Sequence, residues 1–213
     1  MKNITKGTEP RSLVEHRCQT AADFDNFSDK QGLRDALVQE QGFVCCYCMG
    51  RIMPDALKMK VEHWHCQDMH PTEQLDYSNL LGACNGGMGQ APRLQHCDTK
   101  KGSQLLSLNP ANPAHRVEQT LRYLGDGTLK STDPTFDIEL NTVLNLNLSQ
   151  LKLNRVGALD AFIATLPTKG TYTPNLLRTR LEKLKQGENG YLEPFVQIII
   201  AWVEKKQARG GTR

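Results

Sequence analysis

Cys45-Cys46-Tyr47-Cys48, then Lys60-Val61-Glu62-His63-Trp64-His65, then Tyr77-Ser78-Asn79-Leu80-Leu81, and last Cys84 with His96-Cys97-Asp98-Thr99-Lys100-Lys101-Gly102 are the runs that decide how this chain is read. Cys45 and Cys48, with two residues between them at a strand-to-turn position, can both reach one tetrahedral ion through Zn–S bonds of about 2.3 Å. A second pair must close such a site. Cys84, which ends a strand, and Cys97, which opens a helix, supply it, and the 12 residues between them can bulge away because they include Gly86, Gly87, Gly89 and Pro92. Cys45 and Cys48 also admit reading as a redox pair or as buried unliganded thiols. A redox pair belongs beside a βαβ pattern that is absent here, so a structural Zn²⁺ on Cys45, Cys48, Cys84 and Cys97 is favoured. Cys46, Cys66 and Cys18 stay outside the set, since Cys46 and Cys48 have one intervening residue and make a worse knuckle.

Working outward, four segments emerge. Residues 1–41 read as an N-terminal helical segment, in which Ser28 caps a helix carrying Leu33, Leu37 and Val38, and Gly42 stops it. Residues 42–109 hold six of the seven cysteines and four of the six histidines, broken by Gly and Pro. Strands are predicted at Phe43 to Val44, Lys60 to Trp64 and Leu80 to Ala83, with a short helix from about Asp98. Residues 110–135 read as a hairpin connector, Val117 to Tyr123 and Thr128 to Lys130 flanking Gly125-Asp126-Gly127. Residues 136–213 read as a helical C-terminal adaptor region, the expected docking element for a partner: Leu148, Leu151, Val156, Leu159, Ile163 and Leu166 form one stripe, Leu177, Leu181 and Leu184 another, before an apolar helix from Leu192 to Val203. Such stripes are packing signals. No period of 20 to 50 residues repeats, which excludes a solenoid or propeller.

The composition is that of a globular protein. Its 213 residues are 38% hydrophobic, 23% charged and 6% aromatic, which excludes disorder and collagen-like repeats. The longest apolar run, Phe195 to Val203, contains Gln197 and falls short of the roughly 20 residues that cross a bilayer. Met1 to Lys6 has no stretch resembling a signal peptide, so a cytoplasmic protein is expected, without a membrane partner. In that compartment the seven cysteines point to metal rather than disulfides, and an odd number cannot pair completely. The net charge of +3 is uneven: residues 1 to 134 carry 15 Lys or Arg against 16 Asp or Glu, and residues 135 to 213 carry 11 against 7. A polyanion contact is therefore expected to lean on the C-terminal part.

With the acid-His pair Glu62-His63, the central Asn79 and Asp98 beside the second half-knuckle, the chain resembles the HNH endonuclease family and its ββα-metal core. More closely, Lys6-Gly7-Thr8-Glu9-Pro10, Val61-Glu62-His63, the wide Cys84 to Cys97 loop and Leu144-Asn145-Leu146-Asn147 with Arg155 are similar to the Septu- and retron-associated HNH nucleases, the PtuB-like proteins, over most of the chain. The implied fold is α+β, a small zinc-stapled ββα-metal core between an N-terminal helix and a C-terminal helical region. The implied activity is metal-dependent hydrolysis of nucleic-acid phosphodiesters, DNA or RNA, in an anti-phage defence hetero-oligomer with an ABC-type, PtuA-like ATPase. By the same resemblance Asn79 braces the loop and orients the base.

The chemistry asks for these residue types. Mg²⁺ or Mn²⁺ on the phosphate oxygens prefers carboxylate ligands, which Glu62 and Asp98 supply. A neutral imidazole, His63, takes the proton from the attacking water. Lys101, three residues after Asp98 and on the same helix face, can meet the phosphate. Asp98 departs from the His or Asn commonest at the last position in the wider family, yet remains a good Mg²⁺ ligand. In an ideal strand His63 and His65 share a face while Glu62 points away, so Glu62 and His63 converge only if the strand ends or twists there; His65 is the reserve base. His16, His70, His96 and His115 are assigned ordinary roles. Arg178 and Arg180, with Lys183 and Lys185, form a basic cluster that suits substrate, a partner or solvent. Two rival functions are a non-catalytic zinc module binding nucleic acid or protein, and a hydrolase of another substrate. The non-basic knuckle zone argues against the first, and the lack of a His-Glu-x-x-His signature against the second.

Overall fold

The computed structural model describes residues 1–167 and 171–210. Its first helices are Arg11–Arg17 (α1) and Lys30–Gln41 (α2). Asp29, not Ser28, caps α2, its carboxylate accepting from Gly32 N, because the aspartate also binds the Ser12 hydroxyl and so ties α1 to α2. Gly42 ends α2 in the left-handed region with φ 66°, the expected stop. Beyond it, the strand expected at Phe43 to Val44 shrinks to one bridge between Val44 and Arg51. The backbone instead doubles back, Cys45 N donating to Gly50 O and Met49 N to Cys45 O. Bringing Cys45 and Cys48 to one point needs a tight turn, which is incompatible with an extended ladder.

Met59–His63 (β1) pairs antiparallel with Leu80–Cys84 (β2), setting Glu62 opposite Leu81, and the chain then enters the short helix Cys97–Lys101 (α3). Buried Gln41 fastens β2 to α2: its amide donates to Gly82 O and accepts from Gly82 N. The loop from β2 to α3 depends on Gly86, which sits at φ 54°, where an added Cβ would fall 2.1 Å from His96 O. Gly86→Ala is therefore expected to cost about 1–3 kcal/mol, lowering the melting temperature at about 2–4 °C per kcal/mol. Gly125→Ala, which meets nothing within 4 Å, is the control. Equal melting curves for the two variants would refute this tight approach.

Of the expected hairpin arms, the first is strand only in its second half and the second is displaced by one residue. Leu121–Tyr123 (β3) pairs with Leu129–Ser131 (β4), whereas Val117–Thr120 is a helical turn (α4). Asn3 pins that turn, its N donating to Glu118 Oε1 and its Oδ1 accepting from Glu118 N, a contact across 115 residues that local pattern cannot reveal. The remaining helices are Pro134–Thr142 (α5), Ser149–Ala164 (α6), Pro174–Gln186 (α7) and Val196–Ala208 (α8). On α6 the buried line is Leu151, Arg155 and Leu159, with Val156 and Ile163 half-buried. Arg155 is 2% exposed and donates to Gly127 O and Leu146 O, joining the hairpin turn to the segment before α6.

Among the described residues the architecture is mixed α/β with two small antiparallel sheets. One apolar cluster unites Cys45, Cys97, Leu81 and Val117 with Phe136, Leu140, Leu144 and Leu151, so the expected boundary at residue 136 runs through a shared core. A second packs α6, α7 and α8 against Val44 and Met49, and Phe195 N donates to Met49 O. A third joins α1 and α2 to Tyr77 and Leu80. The expected region 136–213 includes residues 168–170 and 211–213, which lie outside the described residues. No helix among the described residues is long and apolar enough to cross a membrane.

Candidate functional site

Four sulfurs converge where the Cys45 to Gly50 turn meets the end of β2 and the start of α3. The Sγ atoms of Cys45, Cys48, Cys84 and Cys97 all lie within 4.8 Å of one another, with Cys45 to Cys97 at 3.9 Å and Cys48 to Cys84 at 3.7 Å. Zn–S bonds of about 2.3 Å set tetrahedral sulfurs about 3.8 Å apart, so the donor set and its spacing fit a metal such as zinc. Backbone amides already point at the sulfurs: Cys84 N lies 3.3 Å from Cys45 Sγ, and Gly50 N 3.3 Å from Cys48 Sγ. Cys97 takes φ 54°, unusual for a residue with a Cβ, and its N donates to Leu144 O. Burial pushes the Cys97 thiol up, and hydrogen bonding to Cys45 and Cys48 pushes up Cys84; hydrogen bonds from Cys46, Cys48, Cys84 and Cys97 pull Cys45 down against its burial. A dication would favour the thiolate at all four. Cys46, Cys66 and Cys18 lie outside this cluster, the first two buried and the last exposed.

Beside the sulfurs, Glu62, His63 and Asp98 line one cavity of about 220 Å³ with Val61, Cys66, Gln67, Asp68 and Gly102. Two larger cavities, of about 480 Å³ each, lie elsewhere and contain no metal-ligating cluster among the described residues. Because β1 ends at His63, Glu62 and His63 turn into the same cavity although they are neighbours in a strand. His65, two residues on, does not line it.

The His63 ring is fixed on both sides. Its Nε2 is 3.0 Å from Gln74 O, and Phe24 meets it edge-on at 4.5 Å between centroids. A carbonyl partner accepts only, which assigns the proton to Nε2 and the lone pair to Nδ1. Nδ1 makes no hydrogen bond among the described residues. Burial holds the ring's proton affinity below the usual histidine range, favouring neutral imidazole. Asn79 is buried and braces the loop before it: Oδ1 accepts from His65 N at 2.7 Å, while Nδ2 donates to the carbonyls of His65 and Glu73.

Burial, and then the neighbouring Asp98 carboxylate, push Glu62 well above the usual carboxylate range. Asp98 stays low despite its own burial, because Glu62 hydrogen-bonds to it and Lys60 lies 3.0 Å away. The two acids thus hydrogen-bond to each other with the proton favoured on Glu62, an arrangement that a divalent cation can replace.

Lys101 departs from its expected place at the phosphate. Its ammonium is buried, 2.9 Å from Glu62 Oε1 and 3.0 Å from His63 O, so it positions the acid and the strand end instead of meeting solvent. Two residues escaped the sequence reading. Tyr47, inside the knuckle, donates to Glu62 Oε1 at 2.7 Å and couples the sulfur cluster to the cleft. Lys60 sits at the cleft through Asp98; its signal was strand alternation, which places it on the Glu62 face.

Arg178, Arg180 and Lys183 stand on α7, whose packing partner is α8. Arg178 donates to Asn175, Lys183 lies 3.9 Å from Glu188, and Arg180 and Lys183 line a groove with α6 and α8 residues rather than the Glu62 cleft. His16 and His115 bond to backbone groups, Asp23 O and Asn109 N, in ordinary roles, while His96 Nδ1 lies 3.1 Å from Cys97 Sγ at the sulfur cluster.

No protein-family model matches the chain, and no curated protein matches it.

Proposed function

We propose that the chain is a metal-dependent endonuclease of the HNH type that hydrolyses phosphodiester bonds of nucleic acid. The observation that carries this reading is the convergence, at the end of β1 and the start of α3, of two carboxylates and an imidazole whose Nδ1 is left unbonded. In this reading Zn²⁺ on Cys45, Cys48, Cys84 and Cys97 is structural, since four thiolates leave it no open position. Glu62 and Asp98 would hold Mg²⁺ or Mn²⁺, which supplies charge neutralisation at the phosphate. His63 Nδ1 accepts the proton of the attacking water, and the Gln74 carbonyl keeps the other nitrogen protonated so that the lone pair faces the cleft. Asn79 holds the loop that carries Gln74. Lys101 and Tyr47 fix Glu62.

His63→Ala is expected to lower cleavage of plasmid, RNA or single-stranded oligonucleotide by about 10²- to 10⁴-fold, with zinc content retained. Normal cutting by this variant would remove His63 as the base. The rival reading, a non-catalytic zinc module, draws support from Lys60 and Lys101, which already neutralise Asp98 and Glu62. Absence of Mg²⁺-dependent cutting by the wild type, alone and with its ATPase partner, would favour it.

The cellular setting we propose is cytoplasmic anti-phage defence with an ABC-type ATPase, in a hetero-oligomer. Deleting residues 136–213 does not test it, because Phe136, Leu140 and Leu144 belong to the same core as Cys97. Surface reversal does. Arg178→Glu with Lys183→Glu is expected to abolish co-purification of the ATPase while the melting temperature stays within a few degrees; full retention would place docking elsewhere.

A further inference from the structure

Apart from the four sulfurs and the Glu62 cleft, the loop between β1 and β2 gathers a second set of metal-binding side chains. A ring nitrogen from each of His65 and His70 and a carboxylate oxygen of Glu73 lie within 4.8 Å of one another. His65 Nδ1 is 2.7 Å from Glu73 Oε2, and His70 Nδ1 is 3.6 Å from Glu73 Oε1. The imidazoles stack, centroids 4.4 Å apart and planes 19° from parallel. The backbone sets this arrangement. His70 N donates to Cys66 O, the chain turns through the 3-10 segment Pro71–Glu73 with Glu73 N donating to His70 O, and Asn79 Nδ2 ties the carbonyls of His65 and Glu73 together.

We propose that His65, His70 and Glu73 form a site for a first-row divalent transition ion of the Zn²⁺ or Co²⁺ class. Two imidazoles and one carboxylate suit such an ion, whereas Mg²⁺ and Ca²⁺ take all-oxygen shells. Bonds of about 2.1 Å require tetrahedral donors about 3.4 Å apart, so groups now within 4.8 Å of one another must close by at most about 1.4 Å, while the 2.7 Å His65–Glu73 pair opens to admit the ion. Side-chain rotation can do this, because these side chains are 31%, 31% and 39% exposed. The ion takes the place of the proton in the His65–Glu73 bond and keeps at least one position open to water or an anionic ligand. Its effect on the molecule is local and directional. Glu73 precedes Gln74, whose carbonyl accepts from His63 Nε2, so an ion on Glu73 clamps the segment that orients the His63 ring. The site itself does not depend on the nuclease reading.

The test is a Co²⁺ titration of the full chain carrying its thiolate-bound zinc, with excess Mg²⁺ present to occupy carboxylate sites. One further equivalent is expected, with d–d absorption and no added thiolate charge-transfer band. His70→Ala and Glu73→Gln should each weaken that equivalent at least about tenfold, with the sulfur-bound zinc unchanged. No further equivalent in the wild type overturns the site, as does a further equivalent that both variants keep. Should one variant fail to fold, the other decides. The readout is metal stoichiometry and spectrum, so loss of nuclease activity and loss of this site are separable.

Discussion

Cys97→Ser is expected to leave the protein insoluble, or folded in part and without stoichiometric zinc. Cys97 stands at a junction: its sulfur closes the cluster with Cys45, its N donates to Leu144 O, and it opens the helix that carries Asp98 and Lys101. Metal binding to sites of this kind contributes an apparent free energy of about 10–16 kcal/mol, which exceeds the whole stability of a typical domain at about 5–15 kcal/mol. Losing one of four thiolates removes enough of it to release the Cys45 turn from α3. Because Phe136, Leu140 and Leu144 share that core, the loss should spread to α5 and not remain in the knuckle. Cys48→Ser should behave alike, and Cys18→Ser, at an exposed cysteine outside the cluster, should not. Elemental analysis decides: wild-type protein purified without about one zinc per chain would dismiss the structural-zinc reading.

Lys101→Met is expected to be the most destabilising change outside the cysteines. The ammonium and Glu62 are 1% and 2% exposed at the side chain, and the pair is 2.9 Å apart. Removing one partner strands a buried carboxylate, at a cost of about 3–5 kcal/mol, or a melting-temperature fall of about 6–20 °C at the usual scaling. The pH dependence follows from Glu62. Its folded-state proton affinity is already raised by burial and Asp98, and Lys101 is a group that lowers it. Without Lys101 the folded form holds its proton to still higher pH. Both proteins should therefore lose stability as pH rises from the ordinary carboxylate range, and the variant's deficit should widen only above the raised pH at which Glu62 ionises in the folded wild type. Glu62→Gln combined with Lys101→Met should recover a large part of the loss, since no charge is then left unpaired. A Lys101→Met protein that melts like the wild type but fails only in nucleic-acid binding would restore this lysine to the phosphate-contact role that its burial argues against.

What the sequence by itself determined was the cysteine cluster and an approximate scaffold around it. Cysteine spacing marked four thiols for one ion, and their sulfurs do converge, because a Cys-x-x-Cys turn and a strand-to-helix junction are local geometries. Leu33, Leu37 and Val38 with Gly42 marked α2 correctly, since periodicity and a left-handed cap are read within a few residues. Ser28 was mistaken for the cap because Asp29 earns that place through Ser12, which lies in another helix. The tertiary structure alone decided the rest. Only the end of β1 at His63 brings Glu62 and His63 into one cavity, against strand alternation. Only burial makes Lys101 and Tyr47 supports of Glu62, and only long-range packing joins Phe136, Leu140 and Leu144 to the core around Cys97. The physical reason is common to all three: a side chain's charge, partners and exposure depend on what packs against it from distant parts of the chain, and no local pattern carries that information.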